Sequence, residues 1–319
     1  MSPHSSYRSA RGRQPGSGPG GLALLAVVVL GLAAGLGLRA QGAQDRQRAM
    51  YVTVTDQSGA PVSGLTQDDF MVREDGVQRE VLRVEPATGP IEITLVVDTS
   101  DVASPYIADM RRALTGFVKD MAKGNEIALT SFGGRPQVVQ GYTGSVELLN
   151  RAIGRLFAEQ GTGAYLLEAL VSVARGVTKR APDRAVIVAI LTQAAPEFSN
   201  EPPETVVKAL RDSGAAFDAV TLQSGAGTVP PAGSEQATAR HDRDVVLDEA
   251  TRATGGLSDQ LLSGMALTPE LTSIAAQLRS QYRLVYARPE SLIPPEKIVV
   301  SAKKPGLNAR GTPVRVQAR

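Results

Sequence analysis

Hydrophobic positions follow two different periods along the chain, and each change of period marks a predicted element. From Met50 to Thr55 apolar residues alternate with a period of two, which is typical of a strand, and Asp56–Gly59 is predicted to close it with a turn. Phe70–Glu74 and Val77–Val84 flank an Asp75-Gly76 pair that favours a hairpin. Because so few short strands cannot bury a core alone, residues 48–88 are predicted to form a small β unit that needs a neighbour.

Between residues 90 and 287 strand patterns alternate with helix patterns. Ile91–Asp98 is a nearly continuous β-branched run, typical of a central strand covered on both faces. Apolar residues at three- and four-residue spacing from Ile107 to Met121 predict the helix that follows. The alternation predicts an α/β fold with a doubly wound, mostly parallel sheet. The other predicted strands are 126–132, 137–140, 185–192 and 217–222, and the other predicted helices are 146–157, 165–178, 203–211, 244–254 and 269–279.

Two further segments lie outside this alternation. Residues 224–240 are rich in Gly, Pro, Ser and Thr and lack periodicity, so a flexible surface insertion is predicted there. Strand patterns return at 282–287, 298–302 and 314–317, separated by Pro-rich turns. Since neither end of the chain is large enough to bury a core alone, we expect the extension 288–319 to pack with residues 48–88.

Residues 1–43 have the composition of an export signal. Arg8, Arg11 and Arg13 precede the 18-residue apolar segment Gly21–Leu38, and basic residues before such a segment remain in the cytoplasm. Small residues before Ala43 suit cleavage, whereas an uncleaved segment rising ~1.5 Å per residue would nearly span a bilayer. Both alternatives predict an exported body, periplasmic or secreted. If residues 21–38 are not removed, they are expected to anchor the protein in the inner membrane and to be its only contact with a membrane.

Composition narrows the chemistry that the body can perform. The chain has no Cys, which excludes disulfides, thiolate metal sites and Cys nucleophiles. His4 lies in the leader, and His241 lacks a Gly-x-Ser-x-Gly companion. Beyond residue 43 there are 30 basic against 32 acidic residues, so nucleic-acid binding is not expected.

Four sequence blocks in order resemble a von Willebrand factor type A domain. They are Ile93–Ser100 followed by a helix, Gly124–Phe132, Gly161–Leu170 and Val186–Thr192. The resemblance covers about residues 90–287 and implies a Rossmann-like fold. The flanking segments 52–84 and 282–289 are similar to a bacterial exported subfamily related to these domains.

The resemblance implies a metal-ion-dependent adhesion site at the carboxyl ends of the strands, where open α/β sheets bind ligands. The family places Asp-x-Ser-x-Ser on the first loop, a Thr on the second and an Asp after a later strand. These oxygen ligands suit Mg²⁺, and a carboxylate of the partner completes its shell. In this chain Asp98 and Ser100 match the family pattern, but Val102 and Gln193 occupy positions where the family has oxygen ligands.

The remaining ligand positions leave alternatives. Ala164 stands at the family's Thr position, and Thr162 reaches the site only if its loop is rebuilt. Asp101 could replace a missing ligand, although an Asp before a helix more often caps it. We therefore expect no cofactor or weak Mg²⁺ binding at a vestigial site of Asp98 and Ser100, with Thr162 as a further ligand. The expected partner-binding residues are Asp98, Ser100, Asp101, Thr162 and Gln193.

The sequence thus predicts a non-enzymatic binding or scaffolding module outside the cytoplasm, directed at a protein or envelope partner. An envelope hydrolase is the first alternative, but the chain has no nucleophile motif, metal-ligand cluster or phosphate loop. The acids at 68, 69, 74 and 75 lack calcium-loop spacing and are interpreted as turn residues. The second alternative is a rigid spacer, which an exposed apolar patch on the binding face would disfavour.

Overall fold

Thirteen strands and six α-helices make up the part of the chain that the computed structural model describes, residues 47–223, 230–288 and 295–315. The strands are β1 Gln47–Thr55, β2 Phe70–Glu74, β3 Val77–Arg79, β4 Val81–Pro86, β5 Glu92–Val97, β6 Glu126–Ser131, β7 Gln137–Thr143, β8 Ala185–Thr192, β9 Ala215–Leu222, β10 Ser258–Leu261, β11 Tyr282–Ala287, β12 Ile298–Ala302 and β13 Asn308–Pro313. The helices are α1 Ile107–Met121, α2 Val146–Gly154, α3 Leu166–Arg180, α4 Pro203–Ser213, α5 Glu235–Thr254 and α6 Leu267–Arg279.

The central sheet has the strand order β10-β9-β8-β5-β6-β7. All neighbours are parallel except the edge strand β7, which is antiparallel to β6. Every residue of β8 and β9 is buried, as expected of strands covered on both faces. One face packs against α1, α2 and α6, and the other packs against α3, α4 and α5. The predicted doubly wound α/β fold is therefore confirmed.

Strands from the two ends of the chain pair with each other beside this sheet. β1 lies between β11 and β13, so that Met50 is opposite Leu284 on one side and Pro313 on the other. β12 pairs with β2, which forms the Asp75-Gly76 hairpin with β3. Both turn residues have positive φ, 48° and 83°, which explains why the sequence uses Asp and Gly there. These strands surround a core of Met50, Val52, Val54, Phe70, Val72, Tyr282, Leu284, Tyr286 and Val300.

The structure corrects the predicted last strand. The strand is Asn308–Pro313, and Val314 follows it, whereas residues 316 and 317 of the predicted segment lie outside the described residues. β13 has no apolar sequence pattern, because the backbone of Gly311, rather than an apolar side chain, packs against the core. A Cβ on Gly311 would lie 2.7 Å from Cγ1 of Val300 and 3.0 Å from Sδ of Met50.

The fifth helix begins nine residues before the predicted start. Ser234 caps it, accepting a hydrogen bond on Oγ from the Ala237 N–H at 3.2 Å. Residues 235–240 of the predicted flexible insertion 224–240 are therefore helical, whereas 224–229 lie outside the described residues. The first turns of α5 carry mostly polar residues, so no apolar stripe in the sequence predicted a helix there. The short strand β10 was also missed, because Ser-Asp-Gln-Leu has no strand pattern.

The export-signal prediction for residues 1–43 lies outside the described residues. Within the described ranges no helix combines the length and the apolar character needed to cross a membrane.

Candidate functional site

Asp98 lies at the centre of the site, directly after β5. Its side chain is fully buried. Oδ1 accepts a hydrogen bond from the Ser100 N–H at 2.8 Å, and Oδ2 accepts one from the Thr192 N–H at 3.0 Å. Asp98 therefore joins its own loop to the end of β8. Burial raises the pKa of this carboxyl, although the hydrogen bonds from Ser100 and Thr192 oppose the shift.

Two hydroxyl groups lie buried beside Asp98. The Oγ of Ser100 and the Oγ1 of Thr192 are inaccessible to solvent and have no hydrogen-bond partner among the described residues. Ser100 precedes a 3-10 helix over Asp101–Tyr106, but its side chain does not cap that helix. Thr192 was not among the predicted site residues. Its position at the end of a buried strand, next to Gln193, was the sequence signal that could have revealed it.

The Thr162 loop reaches the site through its backbone. The Thr162 carbonyl accepts a hydrogen bond from the Asp101 N–H at 3.2 Å. The Thr162 hydroxyl, however, donates to the carbonyl of Glu159 at 2.7 Å, within its own loop. Ala164 is buried, donates its N–H to the Pro196 carbonyl and accepts from the Phe198 N–H. This loop is thus fixed between the first loop and the loop after β8.

Close backbone packing holds the end of β6 against the same loops. A Cβ on Gly133 would lie 1.9 Å from the carbonyl carbon of Thr99, so only glycine fits at this position. The Gly133 N–H donates to Oγ1 of Thr99 at 3.0 Å, and the Thr99 carbonyl accepts from the Glu159 N–H at 2.8 Å. The loops after β5 and β6 and the loop between α2 and α3 therefore meet at fixed distances.

Val102 and Gln193 occupy one wall of a cavity of about 430 Å³ at this end of the sheet. Val102 is half-buried and packs against the apolar cluster on the α3 side. Gln193 is half-buried, and Asp101 is exposed in the first turn of the 3-10 helix. Of the predicted partner-binding residues, the structure joins Asp98 to Ser100 and Asp101 to Thr162 by hydrogen bonds, and it places Gln193 next to Thr192.

Arg243 fixes the loop after β8, a role that the sequence did not indicate. This α5 residue is only 2% exposed. Its guanidinium donates to the carbonyls of Ala195 at 3.0 Å and Gln193 at 3.2 Å, and it pairs with Asp244 at 3.1 Å. Because the helix was predicted to begin only at residue 244, no pattern marked Arg243 as buried.

No group of three or more His, Asp or Glu side chains in the described part of the chain is arranged to hold a metal ion. The two residues that match the family pattern offer the Asp98 carboxylate, which already accepts two N–H bonds, and the buried Ser100 hydroxyl.

The fold and the position of these loops define an open α/β domain with its candidate site at the carboxyl ends of the strands. Residues 93–193, about a third of the chain, match the family model of the von Willebrand factor type A domain. A comparison with curated proteins finds no match.

The solved structures that resemble this chain have low sequence identity to it. A von Willebrand factor type A protein from Catenulispora acidiphila is 16% identical over 83% of this chain and 74% of its own, with a TM-score of 0.46. The conserved hypothetical protein BatB from Bacteroides thetaiotaomicron is 12% identical over 60% of this chain and 100% of its own, with a TM-score of 0.44. Proximal thread matrix protein 1 from the mussel byssus is 15% identical over 63% of this chain and 49% of its own, with a TM-score of 0.47.

Proposed function

We propose that this chain is a non-enzymatic binding or scaffolding module outside the cytoplasm, which recognises a protein or envelope partner through the loops at the carboxyl ends of the central strands. These loops, called the top face, comprise residues 99–105, 133–136, 157–165, 193–200 and 262–266. Type A domains are in general interaction modules, which supports a binding role.

Exposed apolar side chains on the top face carry this proposal. Nine large apolar side chains are exposed among the described residues, and four of them lie on these loops: Phe157, Phe198, Leu262 and Met265. Leu262 is 83% exposed and Met265 75% exposed. Burying such side chains against a partner stabilises the complex by about 25 cal/mol per Å² of apolar surface. A spacer would gain nothing from exposing them, so their position favours binding.

We further propose that partner recognition needs no metal ion, because the residues present do not fit the family's Mg²⁺ site. Val102 places a hydrocarbon wall where a ligand oxygen belongs, and Gln193 removes a carboxylate. The Thr162 hydroxyl is engaged with Glu159, and both oxygens of Asp98 accept N–H bonds. Of the two described residues that match the family pattern, Asp98 and Ser100, only Ser100 has an oxygen atom that accepts no N–H bond.

A non-enzymatic role is supported by the site's chemistry. Catalysis of acyl transfer or hydrolysis needs a nucleophile within hydrogen-bond reach of a base. The hydroxyls of Ser100 and Thr192 are buried with Asp98 and closed to solvent, so no substrate reaches them in this arrangement. His241, the one His in the described ranges, is an exposed α5 residue with no hydrogen bond to either hydroxyl.

Photo-crosslinking in cells tests the binding role. A benzoylphenylalanine at Phe198 or Met265 of the full chain should form a covalent adduct with one partner, whereas the same group at Val138, 72% exposed on edge strand β7, should form none. The double variant Leu262→Ser, Met265→Ser should weaken binding of that partner about tenfold, because a few apolar anchors supply most interface energy. Adducts formed equally at Val138, or at none of the three positions, would contradict the proposal.

A topology experiment tests the location. A reporter fused after Arg319 should be active only outside the cytoplasm, because Arg8, Arg11 and Arg13 hold the amino terminus inside. The matched control lacks residues 1–43 and should leave the reporter in the cytoplasm. Cytoplasmic activity of the full-length fusion would rule out the export proposal.

A further inference from the structure

A second concave site lies beside the top face, between the loop after β8 and the start of α5. It has a volume of about 290 Å³. Four of its lining residues are acidic, namely Glu197, Glu201, Glu235 and Asp242, and none is Lys or Arg. We call it the acidic pocket. Leu167 and Ala239 add apolar surface to its wall.

The acids at the rim of the acidic pocket are not neutralised by the protein. Glu201 and Asp242 are half-buried, and Glu235 is exposed. None of the three forms an ion pair or a side-chain hydrogen bond with another described residue, although ion pairs occur nearby between Arg240 or Arg243 and Asp244. Their negative charges therefore add up at the mouth of one cavity, where a low-dielectric wall strengthens the field.

Glu197 provides an independent indication of a ligand. It is only 2% exposed, and Oε1 accepts a hydrogen bond from the Ser199 N–H at 3.1 Å. The other oxygen, Oε2, is buried without a hydrogen-bond partner. Such an unsatisfied buried acceptor costs about 1–3 kcal/mol, and more when the group is charged. A cationic group bound in the pocket beside this carboxylate would lower the cost of burying its charge.

Two cations of the described residues lie nearby, but both are directed elsewhere. Arg240 lies 3.9 Å from Asp244, and the guanidinium of Arg243 has other partners. It donates to the carbonyls of Gln193 and Ala195 and to Asp244. Burial raises the pKa of the Glu197 carboxyl, and the hydrogen bonds from Ser199 and the charge of Arg243 oppose this shift only in part. A second cation near Glu197 would stabilise the ionised carboxylate.

We propose that the acidic pocket binds a lysine or arginine side chain of a partner protein. This inference rests on the proposed binding function and specifies the chemistry of the partner. A volume of about 290 Å³ lies at the lower end of ligand pockets, about 300–1,000 Å³, and so suits one long side chain. The aliphatic stem packs on Leu167 and Ala239, and the cationic head meets the carboxylates. A guanidinium can donate two parallel hydrogen bonds to one carboxylate, so arginine is the better occupant.

A titration of the full chain with short peptides tests the inference. The probe is acetyl-Gly-Ser-Gly-Arg-Gly-Ser-Gly-amide, and its neutral analogue carries citrulline in place of arginine. Ligand-observed NMR should give a Kd for the arginine peptide at least about tenfold lower than for the citrulline peptide. Glu197→Gln, which removes the charge and keeps the shape, should raise the Kd of the arginine peptide about tenfold.

Two variants control for charge and for folding. Glu204→Gln removes an exposed carboxylate of α4 outside the pocket and should leave the Kd unchanged. Asp242→Asn at the rim should raise the Kd severalfold with an unchanged melting temperature, because its side chain has no described partner to lose. Equal binding of both peptides, no detectable binding, equal losses in Glu197→Gln and Glu204→Gln, or tighter binding of free spermidine than of the arginine peptide would overturn the inference.

The peptide titration and the crosslinking experiment can fail independently of each other. If the arginine peptide binds as expected but the top-face crosslinkers capture nothing, the binding role fails while the pocket's preference stands. If the crosslinkers capture one partner but neither peptide binds, the acidic pocket is overturned alone.

Discussion

Deletion of Lys297–Arg319 is expected to abolish hydrogen-exchange protection in β1 and β2. The deletion removes β13, which pairs with β1 from Met50 to Thr55, and β12, which pairs with β2 along its whole length. It also removes the contacts of Val300 and Gly311 with Met50 and the core around it. We expect protection of these amides to fall at least about a hundredfold, equivalent to ~2.8 kcal/mol at 1.4 kcal/mol per factor of ten.

The matched control is a deletion of residues 316–319 only, which leaves β12 and β13 in place and should change little. Amides of the buried strand β8 should stay protected in both variants, since β8 pairs only with β5 and β9. Unchanged exchange in Val52–Val84 after the longer deletion would mean that the two ends of the chain form independent β pieces.

Millimolar Mg²⁺ or Mn²⁺ should barely raise the melting temperature of the unaltered chain, and EDTA should not release the partner. The triple variant Val102→Ser, Ala164→Thr, Gln193→Asp should acquire a metal response, because it returns the missing oxygen donors to the loops around Asp98. A metal at 100 times its Kd stabilises the folded state by about 2.7 kcal/mol, which calorimetry detects easily.

Ser100 offers a sharp control for this experiment. Its hydroxyl has no hydrogen-bond partner among the described residues, so Ser100→Ala added to the triple variant should remove the metal response without a loss of packing. A shift of about 2.7 kcal/mol already present in the unaltered chain would mean that Asp98, Ser100 and Asp101 or Thr162 form a working site. If neither chain responds, the loops have departed from the family's geometry, and the metal-based comparison no longer describes this face.

The sequence predicted best those elements that pack through apolar side chains. The strand at 185–192 is buried along its whole length, and its bounds were predicted correctly, as were those of 282–287 and 298–302. β13 escaped prediction because Gly311 and Thr312 pack through small or polar groups. The start of α5 escaped prediction because its first turns bury little and present mostly polar residues.

The same limit applies to the site. A local motif, Asp98 and Ser100, directed attention to the loop after β5, and the structure joins the two residues by a hydrogen bond. Arg243 and Glu197 were missed because their importance depends on burial created by segments far apart in the chain. A charged residue in a polar stretch is normally solvated, so only the fold distinguishes these two from their neighbours.

Because β1 lies between β11 and β13, its sheet can form only after the carboxyl-terminal strands have been synthesised. β1 is among the first strands to be synthesised, but Tyr282, its partner at Val52, is made about 230 residues later, and Gly311 later still. Until then the nascent chain carries an apolar strand with both hydrogen-bonding edges open, the kind of segment that pairs with other chains. Pairings of such high contact order also form slowly. The strand that is made early is therefore assembled last, and a chaperone that shields it until the carboxyl-terminal strands are available would keep it from pairing with other chains.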